Sequence, residues 1–269
     1  MRGASAGSLE RLSDQLGSAI ESGSDASRIA DDLFSVSALL RREPSLRRVA
    51  TDLSLQPAAK SDFARSLLAE QLDPASMDLV GSAVAQRWAA TRDLADALEE
   101  LGVAAVIKGA ERAGQADVLE DELFGLERLV TENPELRDAL SDPSRSPADK
   151  HALLDSLLEG HATAGTIRLA KQAVVSSHRT VTVAVEHYQK VAAATRNRLV
   201  ATVRVAREIS DADRQRLQGA LARQYDRPVH LNVVVDPEVV GGVKVEIGDD
   251  VIDGTVASRL DDARRRLAG

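Results

Sequence analysis

The chain contains no cysteine, which excludes disulfides, thiolate chemistry and cysteine-ligated zinc and is consistent with a cytosolic redox environment. Aromatic residues make up only 2% of the 269 positions, so the cores must be built from leucine, alanine and valine, a mixture suited to helix packing. The rings on which single-stranded nucleic acids stack are missing, and a formal net charge of -8 opposes a polyanionic partner. No apolar run approaches the roughly 20 residues that span a bilayer. The N-terminal MRGASAGSLERL has no signal-type apolar core, so any membrane association is expected to run through a partner rather than by direct insertion.

Recognisable catalytic patterns are missing too. Gly109 and Gly114 have the spacing of a phosphate loop, but Gln115 follows where a lysine and a hydroxyl residue are needed, and the segment reads as part of a helix. His151, His161, His178, His187 and His230 form no HxH or HExxH pair, so no metal site is expected. The pairs Asp31-Asp32, Glu99-Glu100 and Asp249-Asp250 are adjacent residues, which diverge by about 100 degrees on a helix and do not converge on a substrate. Neither a GxSxG elbow nor a Ser-His-Asp signature is visible. The chain is not expected to be an enzyme.

What is present begins with a repeat. Residues 39–68 align without a gap on residues 129–158, an offset of 90, and twelve of the thirty positions are identical. The match extends upstream through Leu33-Phe34 and Leu123-Phe124. In each copy a proline, Pro44 or Pro134, follows one amphipathic helix and restarts the next, and Pro57 and Pro147 open a third at the first helical position. Of the residues before these last two prolines, only Ser146 is a good cap; Gln56 is not. Helical character continues through 165–198 with a break at Ser176–Arg179, where His178 stands in the place of Trp88 as an interhelix packing position.

From Leu199 the period changes. LVATVRVAREI alternates as a strand, SDADRQRLQGALARQY is an amphipathic helix capped by Ser210, and VHLNVVVD is a second strand. Val243, Val245 and Ile247 alternate with Lys244 and Glu246 before a turn at Gly248-Asp249-Asp250, a hairpin pattern. Thr255, Val256, Leu260, Ala263 and Leu267 then predict a closing helix, whose Arg264, Arg265 and Arg266 suit a C-terminal helix dipole. The expected fold is mainly α with a C-terminal α+β domain: a duplicated helical-bundle region followed by a small mixed sheet with two helices. The expected divisions are an extra N-terminal helical repeat over 1–102, a helical bundle over 103–198 and the α+β domain over 199–269, with a continuous helix running into the first strand near Arg196-Asn197-Arg198.

The stretch GGVKVEIGDDVIDGTVASRL resembles the C-terminal signature of the delta subunit of F-type ATP synthase, the bacterial relative of the mitochondrial oligomycin-sensitivity-conferring protein. Gly241, Gly242, Gly248, Asp253, Gly254 and Arg259 fall on that motif, and Asn133-Pro134-Glu135-Leu136-Arg137 is similar to a second family segment. The resemblance covers about 103–268, and residues 1–102 look like a second, partial copy of the family's helical domain.

The resemblance implies a non-catalytic stator subunit of the peripheral stalk, without cofactor or metal, that couples proton translocation to ATP synthesis. One copy per complex is expected at the cytoplasmic face of the bacterial plasma membrane. Its implied partners are the N-terminal helices of the alpha subunits and the C-terminal part of subunit b. A groove for an alpha-subunit helix is expected between Val103, Val106 and Ile107 on one side and Ile167, Ala170 and Val174 on the other; the same apolar stripes fit plain core packing. The competing reading is a helical adaptor unrelated to ATP synthesis with two equivalent binding faces, distinguishable by stoichiometry.

Overall fold

A computed structural model describes residues 3–255 of the chain. Among them are twelve helices and four strands, in two compact units that divide between Ala192 and Ala193. The architecture is mainly α with a C-terminal α+β unit, as the sequence predicts.

The helical unit is built from α1 (Ala4–Glu21), α2 (Ala26–Arg42), α3 (Pro44–Ala50), α4 (Pro57–Leu68), α5 (Pro74–Ala85), α6 (Asp93–Arg112), α7 (Ala116–Glu132), α8 (Pro134–Ser141), α9 (Pro147–Leu158), α10 (Ala164–Val175) and α11 (Val181–Thr195). The offset of 90 carries α2 onto α7, α4 onto α9 and α5 onto α10 residue for residue, and α3 onto all of α8 but its last residue. It also carries α1 into α6, and the first thirteen residues of α6 onto the part of α11 from Val183 to Thr195. The molecule thus holds two six-helix bundles that share α6, as last helix of the first and first helix of the second. α6 runs unbroken through positions 102 and 103, and twelve of its twenty residues are buried, as a helix flanked by two bundles requires.

Local chemistry places the helix ends where the sequence signals them. Asp25 caps α2 by accepting from the Ser27 and Arg28 backbone N–H groups, and Ser146 with Asp149 forms a reciprocal capping box on α9. Gln56 makes no side-chain cap. Gly109 lies within α6 but Gly114 does not: at φ 68 it ends the helix, with the Gln115 N–H donating to the Ala110 carbonyl at 2.8 Å. The expected continuous helix into the first strand is also corrected. α11 stops at Thr195, and Asn197, at φ 51, turns the chain while the Arg198 N–H donates to Ala193. Asparagine is among the few side chains that tolerate this left-handed conformation.

In the second unit β1 (Leu199–Val205) pairs in parallel with β2 (Val229–Val235) and antiparallel with β3 (Val243–Ile247), which pairs antiparallel with β4 (Asp250–Asp253). The order is β2-β1-β3-β4, a mixed sheet. α12 (Asp211–Tyr225), capped by Ser210, makes the crossover between the parallel strands. Ala201, Val203, Leu231, Val245 and Ile247 form the core with Leu221 of α12. The predicted closing helix and Arg259 lie outside the described residues.

Candidate functional site

The C-terminal signature brings two backbone segments together. Gly241 and Gly242 have φ 69 and 79, and a Cβ on Gly242 would stand 2.4 Å from the Gly254 carbonyl oxygen and 2.9 Å from Thr255 Cα. Only glycine fits there, on grounds of both conformation and space. The Gly254 N–H donates to the Val243 carbonyl at 2.9 Å, and Asp253 Oδ1 accepts from the Thr255 N–H at 2.9 Å. These bonds from Thr255 hold the Asp253 carboxyl below the ordinary carboxylate range. Gly248, at φ 57, sits at the β3–β4 turn, near Asp250, whose Oδ2 accepts from the Tyr225 hydroxyl at 3.1 Å. Four of the six signature residues therefore fasten the start of β3 to the end of β4. A cleft of about 750 Å³ opens beside them, lined by Val205, Ile209, Leu217, Gly242 and Val243, and by Ser210 and Asp213, whose hydroxyl-to-carboxylate bond at 2.8 Å caps the start of α12.

In the helical unit α6 and α10 do approach each other, but the six expected groove residues do not line one surface. Val103, Ile107 and Ala170 are fully buried and Val106 is 5% exposed. The edge of α10 nearest α6 carries Gly165, whose added Cβ would meet Val106 Cγ1 at 3.3 Å and Leu119 Cδ1 at 2.7 Å. Ile167 and Val174 lie about 200 and 180 degrees around the helix from that edge. They sit nearer the side where Lys171 pairs with Asp155 of α9 at 2.6 Å, half-buried against the core. A different opening adjoins the seam. A cleft of about 430 Å³ is floored by Ala105, Val106, Gly109 and Ala110 of α6 and walled by the Gly23–Ser27 turn on one side and by Thr163, Gly165 and Arg168 on the other. Across it, Arg168 of α10 pairs with Asp31 of α2 at 2.8 Å.

Two polar devices join the helices here. Glu122 of α7 accepts from the Thr163 N–H, the Thr163 hydroxyl and the Thr166 hydroxyl, which fixes the start of α10. Asp32 of α2 does the same for the first bundle, accepting from the Asp73 N–H at 2.9 Å before α5. The second device joins α2 of the first bundle to α11 of the second across the shared α6, and has no counterpart at the matching Thr131, Leu9 and Leu98. Glu99, 3% exposed on α6, accepts from the Tyr188 hydroxyl of α11 and from Arg41 of α2, both at 2.5 Å; Arg41 also reaches Asp96 and Ser177. Burial and the adjoining Glu99 carboxylate push the Tyr188 hydroxyl pKa up. His178 lies against His187 with ring centroids 4.8 Å apart and planes tilted by 39°, and burial, then His187, lowers its pKa.

Sequence reasoning missed both devices. The visible signals were a tyrosine at 188 where the offset places Leu98, and an acidic pair, Asp96 and Glu99, spaced i,i+3. The structure places Trp88 as a packing residue, 6% exposed, donating to the Ala83 carbonyl at 2.9 Å.

The profile of the family described as ATP synthase delta (OSCP) subunit matches residues 103–267. Three similar proteins carry the name ATP synthase subunit delta. The one from Nocardioides sp. strain JS614 is 53% identical over 100% of this chain and 98% of its own length. That of Kineococcus radiotolerans is 46% identical over 92% and 90%. That of Streptomyces coelicolor is 45% identical over 100% and 98%. The first and third run through positions 1–102, so the additional bundle is present in those relatives. A chain of the Toxoplasma gondii mitochondrial ATP synthase hexamer covers 62% of this chain and 95% of itself at 18% identity, with a TM-score of 0.35, too distant to carry an argument.

Proposed function

We propose that this chain, which belongs to the ATP synthase delta (OSCP) subunit family, grips alpha-subunit N-terminal helices with its helical unit and the C-terminal part of subunit b with its α+β unit, one copy per complex. Membership makes it a stator subunit of the peripheral stalk of F-type ATP synthase, and a non-catalytic one. Among the described residues no helix is long and apolar enough to cross a membrane, and its association with the membrane is peripheral, through the complex. We place it on the cytoplasmic face of a bacterial plasma membrane. Residues 103–198 serve as the family's helical domain, 199–269 as the stalk-holding domain, and 1–102 as an added copy.

The physical task of a stator is to keep the catalytic head from turning with the rotor, since a slipping head dissipates the torque that proton flow supplies. That task asks for rigidity and for surfaces that hold helices, and it asks for no reactive group. The observation that carries the partner reading is the cleft floored by α6. Its Ala105, Gly109, Ala110 and Gly165 are small, so the backbone of an incoming amphipathic helix can approach closely while its large side chains meet Val106. The test is reconstitution. Membranes stripped of this chain are expected to lose proton-driven ATP synthesis while the released head still hydrolyses ATP, and the purified chain is expected to restore synthesis. Unimpaired synthesis without it would sink the stator reading.

A further inference from the structure

The cleft floored by α6 is walled by both bundles. One wall is the start of α10; the other, Gly23 to Ser27, is the α1–α2 turn of the added bundle and lies before residue 103, where the family profile begins to match. This second wall is set against the floor at two points. Gly109 of α6 leaves room for Ala26, since an added Cβ would stand 3.1 Å from Ala26 Cβ, and Arg112 of α6 donates to the Ile20 carbonyl at 2.7 Å. α2 and α6 run antiparallel, with Ala26 at Gly109 and Phe34 at Gly102, which puts Asp31 level with Ala105. The Asp31–Arg168 pair therefore ties the two walls together at the Ala105 end of the floor, whereas Ala113 at the other end is exposed.

On α1 the matching floor is filled. The offset of 90 sets Leu16 and Ile20 in the places of Val106 and Ala110, and Ala75 in that of Gly165. Ile20 is 2% exposed, so a large side chain occupies the place where α6 leaves a gap. Each charged side chain lining the α6 cleft already has a partner within the chain: Asp25 accepts from the Ser27 and Arg28 N–H groups, Arg112 reaches Ile20 and Arg168 holds Asp31. What the wall turns to an occupant is small and uncharged, with Ser24, Ala26 and Ser27 standing across the floor from Gly165. Small residues on both flanks let a helix backbone come within the roughly 8–10 Å of a close helix pair, and charges engaged in this way give a nucleic acid little to hold.

We propose that the α1–α2 turn of the added bundle, Gly23 to Ser27, is the second wall of the alpha-helix site, so that the N-terminal helix of an alpha subunit lies between the two bundles and touches both. The proposal rests on the cleft being that site, as proposed above. Asp31 and Arg168 are positioning residues that fix the distance between the walls. The added bundle then shares directly in the grip instead of only lengthening the subunit.

Because the chain has no cysteine, a single introduced thiol is its only one. Ser27→Cys and Ala164→Cys, exposed positions on the two walls, and Ser66→Cys, exposed on α4, are each mixed as full chains with peptides of the alpha-subunit N-terminal helix that carry a pyridyl-disulfide-activated cysteine at successive positions. Thiol exchange releases pyridinethione and joins peptide to chain through a disulfide. Both wall variants are expected to react at least tenfold faster than Ser66→Cys, and an excess of cysteine-free peptide should abolish the difference. Their preferred peptide positions should differ by about half a turn, roughly two residues. Fast reaction at Ala164→Cys with Ser27→Cys no faster than Ser66→Cys overturns the added wall and leaves the α6–α10 site standing. No enhancement at either wall overturns both. Asp31→Lys is expected to weaken peptide binding about threefold, and its combination with Arg168→Asp to restore it; a swapped pair that binds as poorly as Asp31→Lys overturns the positioning role.

Discussion

The two bundles that share α6 are alike in how their helices are started and unlike in what they enclose. Asp32 and Glu122 each hold the residue before the fifth helix of their bundle. Asp52 and Asp142 each accept from the backbone and hydroxyl of a serine two residues on, at 2.8 and 2.7 Å in both copies, which lowers both carboxyl pKa values. Inside, the first bundle sets Leu98 and Trp88 where the second sets Tyr188 and His178. Duplication has kept the polar bonds that fix where helices begin and let the interiors and outer faces diverge. The apolar interior tolerates some slack at a position, whereas Arg41, Glu99 and Tyr188 demand their partners, because a buried charge left alone costs several times a neutral contact.

The sharpest way to break this comparison is at Glu99. Glu99→Ala strips partners from Arg41 and Tyr188 and is expected to cost about 3–5 kcal/mol in urea unfolding, while Leu9→Ala, the matching half-buried position in the first bundle, should cost about 1–2 kcal/mol. Equal costs would mean that the polar network contributes no more than packing. Next is the shared helix itself. A Cβ on Gly102 would lie 2.5 Å from Phe34 Cε1, so Gly102→Ala is expected to destabilise by about 1–3 kcal/mol. Gly125→Ala on α7, where the added Cβ meets nothing within 4 Å, should instead stabilise by about 0.4–1 kcal/mol. A thermal melt that moves both variants in the same direction would contradict the close α2–α6 packing.

Smaller effects sharpen the picture. A double-mutant cycle on Asp31 and Arg168, half-exposed across the cleft, should return a coupling of about 0.2–1 kcal/mol that salt weakens. The smallest effect expected is at His178. Its folded pKa is lowered, so the unfolded chain binds the proton more readily; the associated stability is present above the ordinary histidine pKa and is lost as pH falls below it toward the folded value. His178→Gln should flatten that acid-side decline in a pH series of unfolding midpoints, and an unchanged slope would remove His178 as its source.

Much of the fold was legible because helix punctuation is local. Pro44, Pro134, Pro57, Pro147, Ser146 and Ser210 stand at helix starts for reasons within a few residues of themselves, and the period-two pattern of Val243–Ile247 needs only its own neighbours. The sharing of α6 was not legible. Along Ala4–Glu21 and its counterpart in α6 only Glu10/Glu100 and Glu21/Glu111 are identical, since a helix that ends one bundle and begins another answers to two sets of neighbours and keeps the sequence of neither. The groove residues were legible only as apolar stripes. Val106 and Val174 share an apolar character that periodicity detects, but which edge of α10 turns to α6 was decided by Gly165, a residue whose contribution is the space it leaves. The signature glycines were readable as a motif; their role as a backbone crossing needed the Gly242–Gly254 distance.

The most direct test of the stator account is calorimetric titration of the full chain with a peptide covering the N-terminal helix of the alpha subunit, repeated on Ala113→Trp with Ala164→Trp, two exposed positions lining the α6–α10 cleft. Saturable binding by the parent chain, weakened tenfold or more, about 1.4 kcal/mol, in the folded variant, is the predicted result. No binding by the folded parent would contradict the account.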